Sequence, residues 1–250
     1  LFHPGGERAA VIGLGSGMTA KAVGAFPLRE IEVLEIEPAI ADVAGFFHDK
    51  NGKILEDRRV RLIPTDGRNY ILATPKQYDI ITAEPSNPWI AGIANLYTQE
   101  FYEVVKSKLK EEGIFAQWFH NYSMSPDDFR MVFRTFGEAF PHVSVWGMKE
   151  SDFLMLGSKK EQVFRYPLLK EIMAKNGTLR DDLKELGLSD VYGVLGFYRM
   201  GKKEMMAFSE GASVNTDDGA QLEFSAPRNV RRATSDLNRK LMEPFLVEAP

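Results

Sequence analysis

The sequence predicts an α/β fold: a doubly wound, mostly parallel sheet of seven strands with helices on both faces, followed by a helical C-terminal appendage. Three observations carry this. Strand-like and helix-like stretches alternate from the start of the chain to about Gly157, the pattern of a parallel sheet built from βαβ units. The first strand, Ala9 to Gly15, is apolar throughout, as a strand covered on both faces must be. It breaks into three alternating glycines, Gly13, Gly15 and Gly17, before Ala20-Lys21-Ala22-Val23 resumes with helical character.

The elements follow in order. The crossover helix spans about Gly17 to Ala25 and stops near Pro27. A second strand, Arg29 to Pro38, carries Glu35 and Glu37, and Pro38 opens a helix through Ala41, Val43, Ala44, Phe46 and Phe47. Val60 to Gly67 reads as a third strand whose Pro64 fits a sheet edge. Tyr78 to Glu84 is the fourth, followed by the proline-rich irregular loop Pro85 to Gly92. Thr98 caps a helix that Gly113 ends, and Ile114 to His120 forms the fifth strand. A helix from Ser125 carries Phe129, Val132, Phe133 and Phe136 on one face. Val143 to Trp146 and Phe153 to Leu156 lie too close in sequence for a helical crossover, so they form an antiparallel pair.

Two domains are expected: a nucleoside-binding catalytic domain over 1–160 and a helical appendage over 161–250, with helices at Pro167–Ala174, Leu179–Leu186 and Val191–Ser209. Asn215 to Arg228 reads as a polar turn leading into an extended stretch, either a capped loop or a functional segment. The tail past Arg231 reads as partly ordered at best.

Composition narrows the function. The 250 residues, 44% of them apolar, fill a sizeable core. No apolar run approaches the roughly 18 residues of a membrane span and no charged-then-apolar stretch opens the sequence as given, so neither a membrane-spanning nor a secreted chain is expected. With no cysteine, thiolate metal sites, disulfides and cysteine nucleophiles are excluded; four histidines, none at His-x-x-x-His spacing, argue against zinc, and no metal is expected. A net charge of −4 without a long basic run argues against nucleic acid.

In open α/β sheets ligands bind beyond the carboxyl ends of the strands. Gly13 to Gly17, Glu35, Asp66, Glu84 and Gln117 all fall at or near such ends. Glycines at alternate positions let backbone and ligand approach without a Cβ between them. An acid about twenty residues past such a loop is placed to bind ribose hydroxyls. Taken singly, the glycines also fit a plain βα turn, and each acid a solvated surface group.

With these residues laid out, the chain resembles the spermidine synthase family, the polyamine aminopropyltransferases built on the Rossmann-like class I methyltransferase fold. The resemblance covers about His3 to Lys160. Gly13-Leu14-Gly15-Ser16-Gly17 is similar to the family's glycine loop, Leu34-Glu35-Ile36-Glu37 to its ribose-binding strand end, and Thr65-Asp66-Gly67-Arg68 to its turn beside the adenine. Tyr78 to Pro88 resembles the catalytic strand and loop, which in the family reads Tyr-Asp-x-Ile-x-x-Asp-Ser-x-Asp-Pro, and Asn95 to Tyr102 matches the helix start after it.

The resemblance implies decarboxylated S-adenosylmethionine or S-adenosylmethionine as the nucleoside substrate, held by Gly13, Gly15, Ser16, Gly17, Glu35, Glu37, Asp66 and Gly67. It implies catalytic roles for Glu84 and Asn87, and contacts to a cationic amine from Ser16, Tyr97 and Gln117. The departures fall on the amine side. Ser16 stands where the family's glycine loop has an Asp, and Glu84 and Asn87 stand where its catalytic loop has two. The Asn215-Thr216-Asp217-Asp218 and Leu222 to Arg228 segments resemble a bacterial branch, some of whose members carry membrane helices before this domain. A chain that opens at Leu1 without a methionine fits a domain of a longer protein: cytoplasmic, with a membrane-anchoring segment outside this chain, and with a homodimer as the assembly to test.

Three readings follow. The first is aminopropyl transfer to an amine. The second is methyl transfer on the same scaffold, which the loss of an amine-binding acid at Ser16 favours. The third is a non-catalytic nucleoside-binding domain. NAD-dependent oxidoreduction ranks behind them, because the loop is G-x-G-x-G rather than G-x-G-x-x-G.

Overall fold

The computed structural model of the chain describes residues 3, 5–147 and 151–249. Among these, eight strands form: β1 (Arg8–Ile12), β2 (Glu30–Glu35), β3 (Val60–Pro64), β4 (Tyr78–Ala83), β5 (Leu109–His120), β6 (His142–Gly147), β7 (Asp152–Ser158) and β8 (Tyr198–Gly201). The chain divides into two compact units. One comprises Leu1–Glu84, Lys108–Ile114 and Val163–Gly196; the other comprises Pro85–Ser107, Phe115–Gln162 and Phe197–Pro250.

In the first unit the strand order is β3-β2-β1-β4, with the opening residues of β5 beside β4. β1 pairs in parallel with β2 and with β4, and β2 in parallel with β3. Alternate residues of a strand face opposite sides of its sheet, and Ala9, Ala10 and Val11 are all fully buried, so both faces of β1 are covered. Ala9, Val11, Ile31 and Val33 pack with Ala20, Leu28, Ala44 and Ile54 into one core. The register pairs Ile12 with Leu34 and with Ala83, and Glu35 with Pro64. Four strand ends, and the loops that leave them, therefore share one edge. β3 lies at the margin of this order, as Pro64 predicts.

At the amino end of β4 the buried Asp79 accepts hydrogen bonds from the amides of Glu7 and Arg8 (2.8 and 2.9 Å), and lies 2.9 Å from Lys110 Nζ and 3.1 Å from the His3 ring. Burial alone would raise its pKa. The bonds from Lys110, Arg8, Glu7 and His3 outweigh that and hold its carboxyl well below the usual carboxylate range.

In the second unit the order is β5-β7-β6-β8. β6 runs antiparallel to β7 and to β8. The helix Pro126–Ala139 starts where Ser125 accepts the Asp128 amide at 3.1 Å, and its Phe129, Val132, Phe133 and Phe136 are buried as their spacing predicts. They pack in an aromatic core, with Phe129 and Phe133 centroids 4.9 Å apart.

Four sequence expectations are corrected. The eighth strand, β8, lies within the stretch read as helix from Val191 to Ser209; helices occupy only Val191–Leu195 and Lys202–Phe208. Between them Tyr198 and Met200 alternate into the interior and pair with β6, so a period of two prevails over four residues. Gly113 does not end a helix. It lies inside β5, where an added Cβ would come within 2.9 Å of the Tyr78 carbonyl oxygen, so close backbone approach requires glycine there. Residues past Asn215 are not extended: Gln221–Ser225 is helical and Ala226–Asn229 a 3₁₀ turn. The tail forms a helix, Ser235–Met242, whose buried Asn238 donates to the carbonyls of Asn121 (2.8 Å) and Met124 (2.9 Å). Among the described residues no helix is long and apolar enough to cross a membrane.

Candidate functional site

The glycine loop continues the ladder of β1, with the Gly13 amide donating to the Leu34 carbonyl at 2.8 Å. Gly13 takes a φ of +92° and Gly15 one of +51°, a region side chains rarely enter. Their surroundings differ. A Cβ on Gly13 would lie 3.2 Å from the Glu84 carbonyl oxygen, whereas one on Gly15 would meet nothing within 4 Å. Gly13 thus serves close packing of the backbone, and Gly15 faces open space at the strand-end edge. Gly17 packs on Asn51 and Gly67 on Ile12. The buried Asn51 pins the loop by donating to the carbonyls of Ser16 (2.9 Å) and Ala44 (2.8 Å).

Glu35 is only 8% exposed. One carboxylate oxygen accepts the Leu14 amide at 2.8 Å and the other the Glu37 amide at 3.0 Å. The carboxylate is therefore fixed against the glycine loop, and each oxygen keeps a second lone pair for a hydroxyl donor. Glu37 is exposed and accepts the Ala39 amide at 3.1 Å, at the start of the next helix. Asp66 caps the helix Gly67–Ala73 by accepting the Asn69 amide at 2.7 Å. Glu84 is exposed just past β4, and its carboxylate accepts the Thr19 hydroxyl. The edge of the first unit thus gathers Glu35, Glu37, Asp66 and Glu84 around an open glycine, an arrangement that suits hydroxyl donors and cations.

Asn87, Tyr97 and Gln117 belong to the second unit. The Tyr122 hydroxyl donates to Asn87 Oδ1 at 3.1 Å. The Tyr122 ring stacks on His120 with centroids 4.0 Å apart, and Trp89 meets both rings edge-on at 5.1 and 5.9 Å. His120 is fully buried, which pushes its pKa down to about 4 and leaves the ring neutral at pH 7. Its Nδ1 lies 3.0 Å from the Tyr122 carbonyl oxygen, which can only accept, so that nitrogen carries the proton. Gln117 is fully buried and donates to the Leu96 carbonyl at 2.8 Å. Tyr97 is equally buried, with its hydroxyl 3.4 Å from the Trp118 carbonyl oxygen and its pKa raised by burial. Tyr97 and Gln117 are thus both buried, and Gln117 Oε1 has no hydrogen-bond partner among the described residues.

Thr19, Asn51, Trp89, His120 and Tyr122 are the residues that sequence reasoning missed. The aromatic density of Trp118 to Tyr122 is the one local signal that could have found part of this set.

Residues 1–148 match the family model described as the spermine/spermidine synthase domain. The chain is 28% identical over 182 residues to polyamine aminopropyltransferase 2 of Aquifex aeolicus, covering 66% of this chain and 35% of that relative. It spans between a third and a half of the length of the curated relatives it matches. Among solved structures it is similar to a spermidine synthase in complex with the transition state analogue AdoDATO (TM-score 0.58, 19% identity, 70% of this chain and 60% of that one). It is also similar to human methyltransferase-like protein 13 in complex with SAH (TM-score 0.54, 22% identity, 71% and 82%). At these identities the structures show the fold alone: the α/β fold that aminopropyl and methyl transferases share. With the family model spanning more than half of its residues, the chain belongs to the spermine/spermidine synthase family.

Proposed function

We propose that this chain transfers an aminopropyl group from decarboxylated S-adenosylmethionine to an amine. The observation that carries the nucleoside half is the carboxylate of Glu35, held by the amides of Leu14 and Glu37 beside the open face of Gly15. A fixed carboxylate next to a loop without side-chain bulk accepts the two ribose hydroxyls of an adenosyl group. The neighbour solved with AdoDATO and the relatives named aminopropyltransferases support the donor.

The amine half rests on Glu84. A primary amine has a pKa of about 10 when free and must lose its proton before its lone pair attacks the carbon next to the sulfonium. The N–C bond forms as the C–S bond breaks, methylthioadenosine departs with the electron pair, and the amine's proton passes to a base. Glu84, oriented by the Thr19 hydroxyl, is the anchor or base in this reading. Ser16 and Asn87 carry no charge, so selection for a diamine is weaker than in the family's own pattern. Activity should rise with pH as the acceptor loses its proton. The same fold and the neutral Ser16 support methyl transfer as a second reading, which the names of the relatives do not favour.

Titration calorimetry with methylthioadenosine, S-adenosylhomocysteine and NAD separates the readings. Methylthioadenosine is expected to bind most tightly and NAD not at all. Tighter binding of S-adenosylhomocysteine would move the assignment to methyl transfer, and tight binding of NAD would overturn both.

A further inference from the structure

We infer that Asn215 and Glu223 are positioning residues for the loop from Pro85 to Tyr97, which carries Asn87 and Trp89. The inference rests on reading that loop as the amine side of the proposed reaction.

The loop has little to hold itself. Pro85 and Pro88 bring no N–H, and ahead of the 3₁₀ helix Ile93–Tyr97 the backbone bonds run from the Ile90 amide to the Asn87 carbonyl (3.0 Å) and from the Ile93 amide to the Ile90 carbonyl (3.0 Å). Gln117 holds the Leu96 carbonyl and Tyr122 holds Asn87, and two further fixed points come from residues more than a hundred positions later. Glu223 accepts the Gly92 amide at 3.0 Å, where Gly92 turns the chain with a φ of +83°. Asn215 Nδ2 donates to the Tyr97 carbonyl at 3.1 Å, and the Asn215 carbonyl accepts the Gln99 amide at 2.9 Å.

These two residues act as one device. Asn215 is buried, its amide donates to Thr135 Oγ1 at 2.9 Å, and its Oδ1 accepts the Leu222 amide at 3.2 Å. One side-chain amide thus joins the end of the loop to the helix Gln221–Ser225, and that helix aims Glu223 at the middle of the loop. Asn uses both a donor and an acceptor here, which neither Asp nor Leu offers. Two features cost stability. Ala220 enters the helix with a left-handed φ of 43°, and Glu223 Oε2 is buried with no hydrogen-bond partner among the described residues. A segment kept only for packing has no reason to retain either. A segment that fixes a substrate-binding loop does, because a loop already held in its binding conformation takes up its ligand without the cost of ordering it.

The test uses the full chain with Glu223→Ala and Glu223→Gln, since Glu223 is half-buried and its replacement is better tolerated than that of the fully bonded Asn215. Gly92 is exposed, so exchange of its amide proton, followed by NMR, reports chiefly on the bond to Glu223. Glu223→Ala should speed that exchange by about tenfold or more, the effect of losing a hydrogen bond to a charged acceptor. It should also raise KM for a diamine by about tenfold, with kcat changed by less than about twofold and methylthioadenosine affinity unchanged. Glu223→Gln, which keeps a side-chain oxygen, should restore both. Unchanged Gly92 exchange in Glu223→Ala, or failure of a folded Glu223→Gln to restore it, would overturn the inference. So would a parallel loss of kcat, nucleoside affinity and fold. If the wild type transfers to no diamine while Gly92 exchange follows the expected order, positioning stands and the aminopropyltransferase reading falls.

Discussion

Gly15→Val is expected to abolish methylthioadenosine binding and leave the fold in place. An ideal Cβ at Gly15 meets no atom within 4 Å, so a side chain there starts into open space. Its cost to the fold is the φ of +51°, about 1–2 kcal/mol for a residue with a Cβ, and somewhat more for a β-branched one. Typical domains have about 5–15 kcal/mol in hand. The ligand bears the larger cost, because two methyl groups then occupy the space through which the nucleoside approaches the loop. Titration calorimetry beside far-ultraviolet circular dichroism checks this. Equal loss of binding and of secondary structure would show that Gly15 serves the turn and not a ligand.

Glu35→Ala should weaken methylthioadenosine binding by about tenfold or more, since hydrogen bonds to a charged acceptor are worth about 1.5–3 kcal/mol each. The geometry adds a second effect. Loss of the carboxylate strands the Leu14 amide, on a residue that is 4% exposed, at a cost of about 1–3 kcal/mol in stability. Glu35→Gln keeps an acceptor for that amide, so it should recover part of the stability while lacking the full charge for ribose. Glu37→Ala removes an exposed side chain that, among the described residues, holds the Ala39 amide, and should change affinity by less than Glu35→Ala. If neither Glu35→Ala nor Glu37→Ala changes the affinity measured by calorimetry, the nucleoside does not sit at this edge.

Much of the first unit was legible in the sequence, because its signals are local. The apolar run of β1, the glycines, and the acids that close β2 and β4 are each read within a few residues. The resemblance supplied the roles of those residues, which spacing alone left open. What escaped depends on contacts far apart in the chain. β8 is four residues long, and only its pairing with β6 makes it a strand. Gly113 was read as a helix end because its real constraint, the Tyr78 carbonyl, lies 35 positions away. The packed tail helix depends in the same way on the Asn121 and Met124 carbonyls. Likewise the bonds of Tyr97 and Gln117 to the Trp118 and Leu96 carbonyls could not be read locally, because each joins residues 21 positions apart.

The most direct measurement is methylthioadenosine release from decarboxylated S-adenosylmethionine with a panel of diamines, comparing wild type, Asn87→Asp, Ser16→Asp and the double variant across pH. The account predicts amine-dependent release that is weak with putrescine in the wild type, rises with pH, and increases when Asp replaces Asn87. No aminopropyl transfer by either the wild type or the double variant, with the nucleoside still bound, would contradict it.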